Sequence, residues 1–172
     1  MKNTLQSEVS VSDVGKYFIW KSASENRPIT NKKLQKLAYY AQAWYLVSQK
    51  GNKKLFPDKI EAWVHGPVVP SLYFQYKQFG FNPIDPMLGK NNVVKENFKK
   101  LLDEVWNVYG HLDGNSLETL AHNEIPWIEA RQNLEKDELG NTEISDLAMY
   151  SYFSSIKNQS KPKDYEKQVH SL

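Results

Sequence analysis

Apolar residues recur along most of this chain at intervals of three and four, the spacing that lines up side chains on one face of an α-helix. Ser10 or Ser12 is placed to cap a first helix in which Val14, Tyr17, Phe18 and the stem of Lys21 share a side, and the pattern ends near Asn26, where Arg27-Pro28 breaks it. Thr30 or Asn31 then opens the clearest helix, with Leu34, Leu37, Ala38, Ala41, Trp44, Tyr45 and Ser48 at helical spacing and Gly51 as its stop. From Leu55 to Val64 the period changes. After the Pro57-Asp58 turn, Ile60, Ala62 and Val64 alternate with Lys59, Glu61 and Trp63, which predicts a short strand. His65-Gly66-Pro67 ends that strand, and Pro70 suits the first turn of a helix carrying Leu72, Tyr73, Tyr76 and Phe79 to Gly80.

A loop with two prolines, Phe81 to Gly89, leads to a strongly amphipathic helix through Val94, Phe98, Leu101, Leu102, Val105, Val108 and Tyr109, closed by Gly110. Ser116 can cap a short helix with Leu117, Leu120 and Ala121, and Pro126 can open the next, WIEARQNL. After Gly140-Asn141, the residues Ile144, Leu147, Ala148, Tyr152 and Ile156 predict a last helix with one apolar face. The expected fold is mainly α, a compact single domain of six or seven helices with one short β strand or hairpin between the second and third helices. Residues 9–156 carry it. Residues 1–8 are expected to be a flexible N-terminus, and 157–172, nearly without apolar periodicity, a mobile polar tail.

Composition narrows the class. A 172-residue chain with 40% hydrophobic and 24% charged residues can bury a core and fold without staples, unlike a disordered or membrane-embedded chain. A net charge of +2 demands no polyanionic partner, although a sequence pI near 8.6 permits a local basic patch. The absence of cysteine removes disulfides, thiolate nucleophiles and sulfur-built zinc sites, which suits a reducing, cytoplasmic setting. MKNTLQSEVS lacks the basic-then-apolar pattern of a secretory signal, and no apolar run reaches the roughly 20 residues that span a bilayer. No membrane association is expected. Five Trp, ten Tyr and seven Phe are spread along the chain, so some aromatics are expected near the surface, where they suit binding interfaces.

Candidate chemistry is sparse. The four histidines, at 65, 111, 122 and 170, make no His-x-x-x-His pattern, and His122 and Glu124 are two apart, pointing away from each other on a helix. No metal or other cofactor is therefore expected. There is no phosphate-binding glycine loop following a strand and no Gly-x-Ser-x-Gly elbow. A small hydrolase or metal-dependent enzyme would have to use His65 or His122 with Glu124, motivated only by histidines near Pro/Gly-rich turns. A DNA-binding regulator would use Lys32, Lys33, Lys36, Lys95, Lys99 and Lys100 as a basic face, without a convincing helix-turn-helix pattern.

Three local features carry more information. In Trp63-Val64-His65-Gly66-Pro67-Val68-Val69-Pro70, two prolines and a glycine fix the backbone around a histidine. That is either a rigid connector whose His65 bonds to backbone or a pre-shaped recognition corner. Lys32, Lys33 and Lys36 place positive charge at the start of the second helix, against its dipole, with Lys36 off the apolar face. Solvation, a nearby carboxylate or an acidic partner would each account for them. The third feature, Leu120-Ala121-His122 with Pro126-Trp127, reads as a helix end against a core aromatic, with His122 able to cap the last carbonyls.

Together these residues resemble the Panacea family of antitoxins, which includes SocA-like proteins and phage-associated GepA-like proteins. The resemblance runs through Lys32-Lys33-Leu34-Gln35-Lys36-Leu37-Ala38-Tyr39-Tyr40-Ala41, Ile60-Glu61-Ala62-Trp63, His65 to Pro70, Leu120-Ala121-His122 with Pro126-Trp127, and Ile144-Ser145 with Tyr152-Phe153, covering residues 9 to 156. Ala121 stands where a threonine is usual, and His65 where a tyrosine often precedes Gly-Pro-Val. The resemblance implies a protein-binding antitoxin of a toxin-antitoxin system, not an enzyme. Its partner would be a cognate toxin from a neighbouring gene, often on a prophage or other mobile element. Neutralisation would be by blocking or by a proteolytic adaptor role that delivers the toxin to a bacterial protease. Nucleic-acid binding and homo-oligomer formation are left open. The expected partner-binding residues are Lys32, Lys33, Lys36, Tyr40, Trp63, His65, Gly66, Pro67, Pro70 and Tyr73, with His122, Pro126 and Trp127 as structural motif residues.

Overall fold

Two side-chain caps start the molecule's first long helices. Ser10 accepts the Asp13 N–H at 3.1 Å to open α1 (Val11–Ser24), and Thr30 accepts the Lys33 N–H at 3.2 Å to open α2 (Asn31–Ser48). Beyond α2 the chain turns away through Lys50 and Gly51, both at positive φ. The computed structural model describes residues 6–159, and in it seven α-helices are packed so that α2 lies at the centre. Almost every residue from Lys33 to Val47 is buried. The apolar face read from sequence is thus only part of what α2 buries, because α1, the later helices and a β-hairpin enclose it from several sides.

A helix so enclosed has to satisfy its own polar side chains, and it does so by bonding to the connecting segments. Gln42 accepts the Leu55 N–H at 2.8 Å and donates to the Phe56 carbonyl at 2.9 Å, holding the stretch after β2 (Lys53–Lys54) against the core. Gln35 accepts the Val69 N–H at 3.0 Å while donating to Asn31 at 2.8 Å. The strand expected over 55–64 is consequently shorter. Leu55 and Phe56 are buried but irregular, and only β3 (Glu61–Trp63) is extended, pairing antiparallel with β4 (Gly66–Val68) as a hairpin. Near the N-terminus, β1 (Gln6–Ser7) pairs in parallel with β2, so the part of the expected flexible N-terminus that is described is partly tied down.

Pro70 opens α3 (Pro70–Tyr76), as its missing N–H allows, and a 3-10 turn carries the chain to Gly80. The loop that follows contains a 3-10 turn over Pro86–Leu88, then α4 (Glu96–Tyr109) buries Phe98, Leu102, Val105, Trp106 and Tyr109 against α2. Asp113, not Ser116, caps α5 (Gly114–His122), accepting the Ser116 N–H at 2.7 Å. The helix expected from Pro126 to Leu134 stops earlier, as α6 (Ile125–Ala130). Arg131 then turns inward to the Ala62 carbonyl, and Thr142 and Ile144 return beside β3. In α7 (Asp146–Gln159) the buried side chains are Met149 and Phe153, while Leu147, expected on the apolar face, is 72% exposed. Residues 157–159 of the expected tail continue α7, and its remainder, 160–172, lies outside the described residues. No described helix is long and apolar enough to cross a membrane.

Candidate functional site

The three lysines at the start of α2 leave in three directions. Lys32 forms an ion pair with Glu118 of α5 at 2.6 Å and donates to Asn115 at 3.0 Å. Lys33, only 6% exposed, donates to the Gly110 carbonyl at 2.6 Å and lies over the Trp106 ring. This places its charge at the C-terminal end of α4, where helix carbonyls favour a cation. Lys36 is 1% exposed and donates to the Pro67 carbonyl at 3.0 Å. Lys36 is therefore not off the buried face. Burial pushes its ammonium down to about 7 and that of Lys33, aided by the like charge of Arg27, to about 8. The N-terminal turns of α2 thus tie down α5, the end of α4 and the β-hairpin.

Lys36 also explains the glycine in the corner. Gly66 sits at φ +93°, and a Cβ there would lie 2.8 Å from Lys36 Cε, so backbone geometry and the lysine both exclude a side chain. Gly66, Pro67 and Tyr40 are buried with Lys36, which removes these four expected partner-binding residues from any docking face. Lys33 is buried too but lines a hollow between α1, α2 and the end of α4. His65 does not bond to backbone as the connector reading required. Its ring is 71% exposed, with Nδ1 3.0 Å from Glu118, so one carboxylate joins Lys32 of α2 to His65 of the hairpin. Lys32 and His65 hold the Glu118 carboxyl below its usual range against the opposing effect of burial.

Beside this ion cluster lies an aromatic surface. Trp63 meets Tyr73 with ring centroids 5.1 Å apart, and Tyr73 meets Phe74 at 5.5 Å, both edge to face. Phe74 is 56% exposed, with Lys77 over its ring, and Phe81, past the end of the 3-10 turn, is 93% exposed. Trp63, His65, Pro70, Tyr73 and Lys32 are the expected partner-binding residues that remain at the surface. Phe74 and Phe81 lie outside the expected partner-binding residues but within the alternative docking face that the sequence offers along the aromatics from Tyr73 to Phe81. The available signal was a phenylalanine beside a helix stop in a glycine- and proline-rich loop, which has no periodic place in a core.

The third motif is structural, but not through helix capping. The His122 ring stacks on Trp127 at 4.1 Å, and its Nε2 is buried with no hydrogen-bond partner among the described residues. Trp127 donates to the Trp63 carbonyl at 2.9 Å, and Pro126 is buried in the first turn of α6. Glu124, 3% exposed, accepts from Tyr39 at 3.0 Å and from Tyr40 at 3.1 Å, and burial pushes its carboxyl up to about 8. Tyr40 stacks on Tyr109 at 3.8 Å.

Of the groups that a hydrolase was expected to use, Glu124 accepts from Tyr39 and Tyr40, and His65 faces Glu118 and not Glu124. Among the described residues no group of three His, Asp or Glu could hold a metal ion. Nor do the six lysines of the DNA-binding reading form one face. Lys33 and Lys36 are buried, and Lys32 and Lys99 are paired with Glu118 and Glu96.

No curated protein and no solved structure matches the chain. A family model described as antitoxin SocA-like, Panacea domain, matches residues 34–128, more than half of the 172 residues. The matched stretch runs from within α2 through the hairpin, α3, α4 and α5 into α6, and includes Lys36, His65, Glu118 and Trp127. The chain belongs to the SocA-like Panacea antitoxin family, with the antitoxin-like role that membership carries.

Proposed function

We propose that this protein neutralises a toxin encoded beside it, on a prophage or other mobile element, by binding that toxin directly through the surface formed by Trp63, Tyr73, Phe74 and Phe81 with the Lys32–Glu118–His65 cluster. One observation carries the reading. Phe74, 56% exposed, extends the aromatic row of Trp63 and Tyr73 from a corner whose backbone is already ordered by Lys36, Pro67 and Gly66, and Phe81, 93% exposed, lies by Lys32 of the same ion cluster. Large aromatics on a pre-ordered surface lose little entropy on docking and supply the desolvated anchors on which interfaces depend. Lys32, His65 and Glu118 would form the polar rim that sets orientation more than strength.

The test is co-expression with the product of the adjacent reading frame. Formation of a stable complex together with relief of growth inhibition is expected, and a toxic neighbour that remains toxic and unbound would sink the reading. The steady-state toxin level in the same cells separates two modes. An unchanged level accompanies blocking, whereas a level that falls with antitoxin and recovers when a bacterial protease is deleted marks delivery for degradation.

A further inference from the structure

The last turns of α2 and α7 and one side of α4 bound a groove of about 510 Å³ among the described residues. Its floor is apolar, built from Trp44, Val47, Leu101, Val105, Val108 and Ile156. Ser48, Leu101 and Glu104 also line an adjoining hollow of about 570 Å³, which reaches Asn97 and Lys100. The two make one trough. It begins at Ile156 and Lys157 of α7 and follows α4 back from Val108 to Asn97, about 17 Å at the helical rise of roughly 1.5 Å per residue.

The end of α7 leads into this trough. Gln159, its last residue, stands less than one turn beyond Ile156. The thirteen residues that follow, 160–172, cover about 20 Å if helical and about 43 Å if extended, enough in either form to reach Asn97. Pro162 interrupts a helical course soon after Gln159, which lets the chain change direction there. Tyr165, Val169 and Leu172, the apolar residues of this otherwise polar segment, stand four and three apart, the spacing of one helix face. Charges along both the segment and the trough are mixed in sign, so reach and the apolar match identify the occupant. A tethered segment also outcompetes a free one, because the short connection keeps its local concentration high.

We propose that residues 160–172 turn back from the end of α7 and seat Tyr165, Val169 and Leu172 in the trough along α4. The segment then clamps the last turn of α7 against α2 and α4. The trough shares no residue with the surface of Trp63, Tyr73, Phe74 and Phe81, so this contact within the chain stands apart from toxin binding.

The chain contains no cysteine, so Ser171→Cys in the full-length protein accepts a single nitroxide label. Amide NMR is then expected to show paramagnetic broadening at the far end of the trough, at Asn97, Lys100 and Leu101, unchanged on dilution. The effect should be lost when Tyr165→Ser and Val169→Ser are added. Broadening that is absent there, that is spread over the surface, or that persists in the Tyr165→Ser, Val169→Ser protein overturns the proposal. A mixture of nitroxide-labelled chain with isotope-labelled, nitroxide-free chain tests the other occupant. No broadening is expected in the mixture, and broadening at Asn97, Lys100 and Leu101 would show that the segment enters a second copy, which also overturns it.

Discussion

At the scale of single residues, the buried ionisable groups decide how stability depends on pH. Lys36 has a folded-state pKa near 7 against the ordinary 10.5, so the folded protein binds fewer protons there than the unfolded chain. Its cost is full below pH 7 and is relieved as pH rises towards 10.5. Glu124 works in the opposite direction. With a folded pKa near 8 against 4.5, it costs nothing below pH 4.5 and becomes progressively destabilising up to pH 8. Denaturation at a series of pH values should therefore show Lys36→Met removing an alkaline rise in stability, and Glu124→Gln, which stays uncharged and keeps an acceptor for one of the two tyrosines, removing an acid-to-neutral fall. Parallel profiles for wild type and variants would mean that neither group is held as described. Gly66→Ala, forced into φ +93° and against Lys36, is expected to lose roughly 2–3 kcal/mol in urea denaturation.

At the scale of elements, side chains reaching from helices to loops replace much of the regular backbone pairing. Gln42 serves three backbone groups of Leu55 and Phe56, and its replacement by Ala strands them in the core, at about 2–4 kcal/mol measured by chemical denaturation. Arg131 donates to four carbonyls, those of Ala62, Glu135, Lys136 and Glu138, and only a guanidinium has the donors to do so. Arg131→Lys should leave the helix content by circular dichroism unchanged while protease cleavage between residues 135 and 139 accelerates. Cleavage at the wild-type rate would show that the loop does not depend on the fork. Helices with capping residues, a proline at the first turn and a closing glycine were legible in the sequence: Thr30, Pro70 and Gly110 stand where they were expected. What periodicity hid was the burial of polar side chains. Lys36 and Gln42 look solvent-facing because their spacing differs from that of the leucines, and only the enclosure of α2 on all sides turns them inward. On the expected α7 face Leu147 alone points to solvent while Ile144, Tyr152 and Ile156 meet the core, since Leu147 and Met149 are equally apolar and only packing chooses between them.

At the scale of the whole molecule, the residues that carry the family likeness are mostly those that hold the scaffold together. Lys33, Gln35, Lys36, Tyr39 and Tyr40 tie α2 to α4, the hairpin and α6, and Trp127 ties α6 to Trp63. Phe74 and Phe81 lie outside this interlocked interior, so on the proposed reading the docking surface can vary without disturbing the scaffold. The proposed docking residues were only partly legible in the sequence for the same reason: motif residues stand out by spacing, whereas the exposure of a phenylalanine is seen only once the core is complete without it. The central claim is that this outer aromatic surface, and not the buried motif, makes the contact. Its most direct test is the affinity of the complex with the adjacent gene product for Phe74→Ser combined with Phe81→Ser. The account predicts a melting temperature close to that of wild type with binding weakened by about tenfold or more, or 1.4 kcal/mol. Undiminished binding by the doubly substituted, fully folded protein would contradict it.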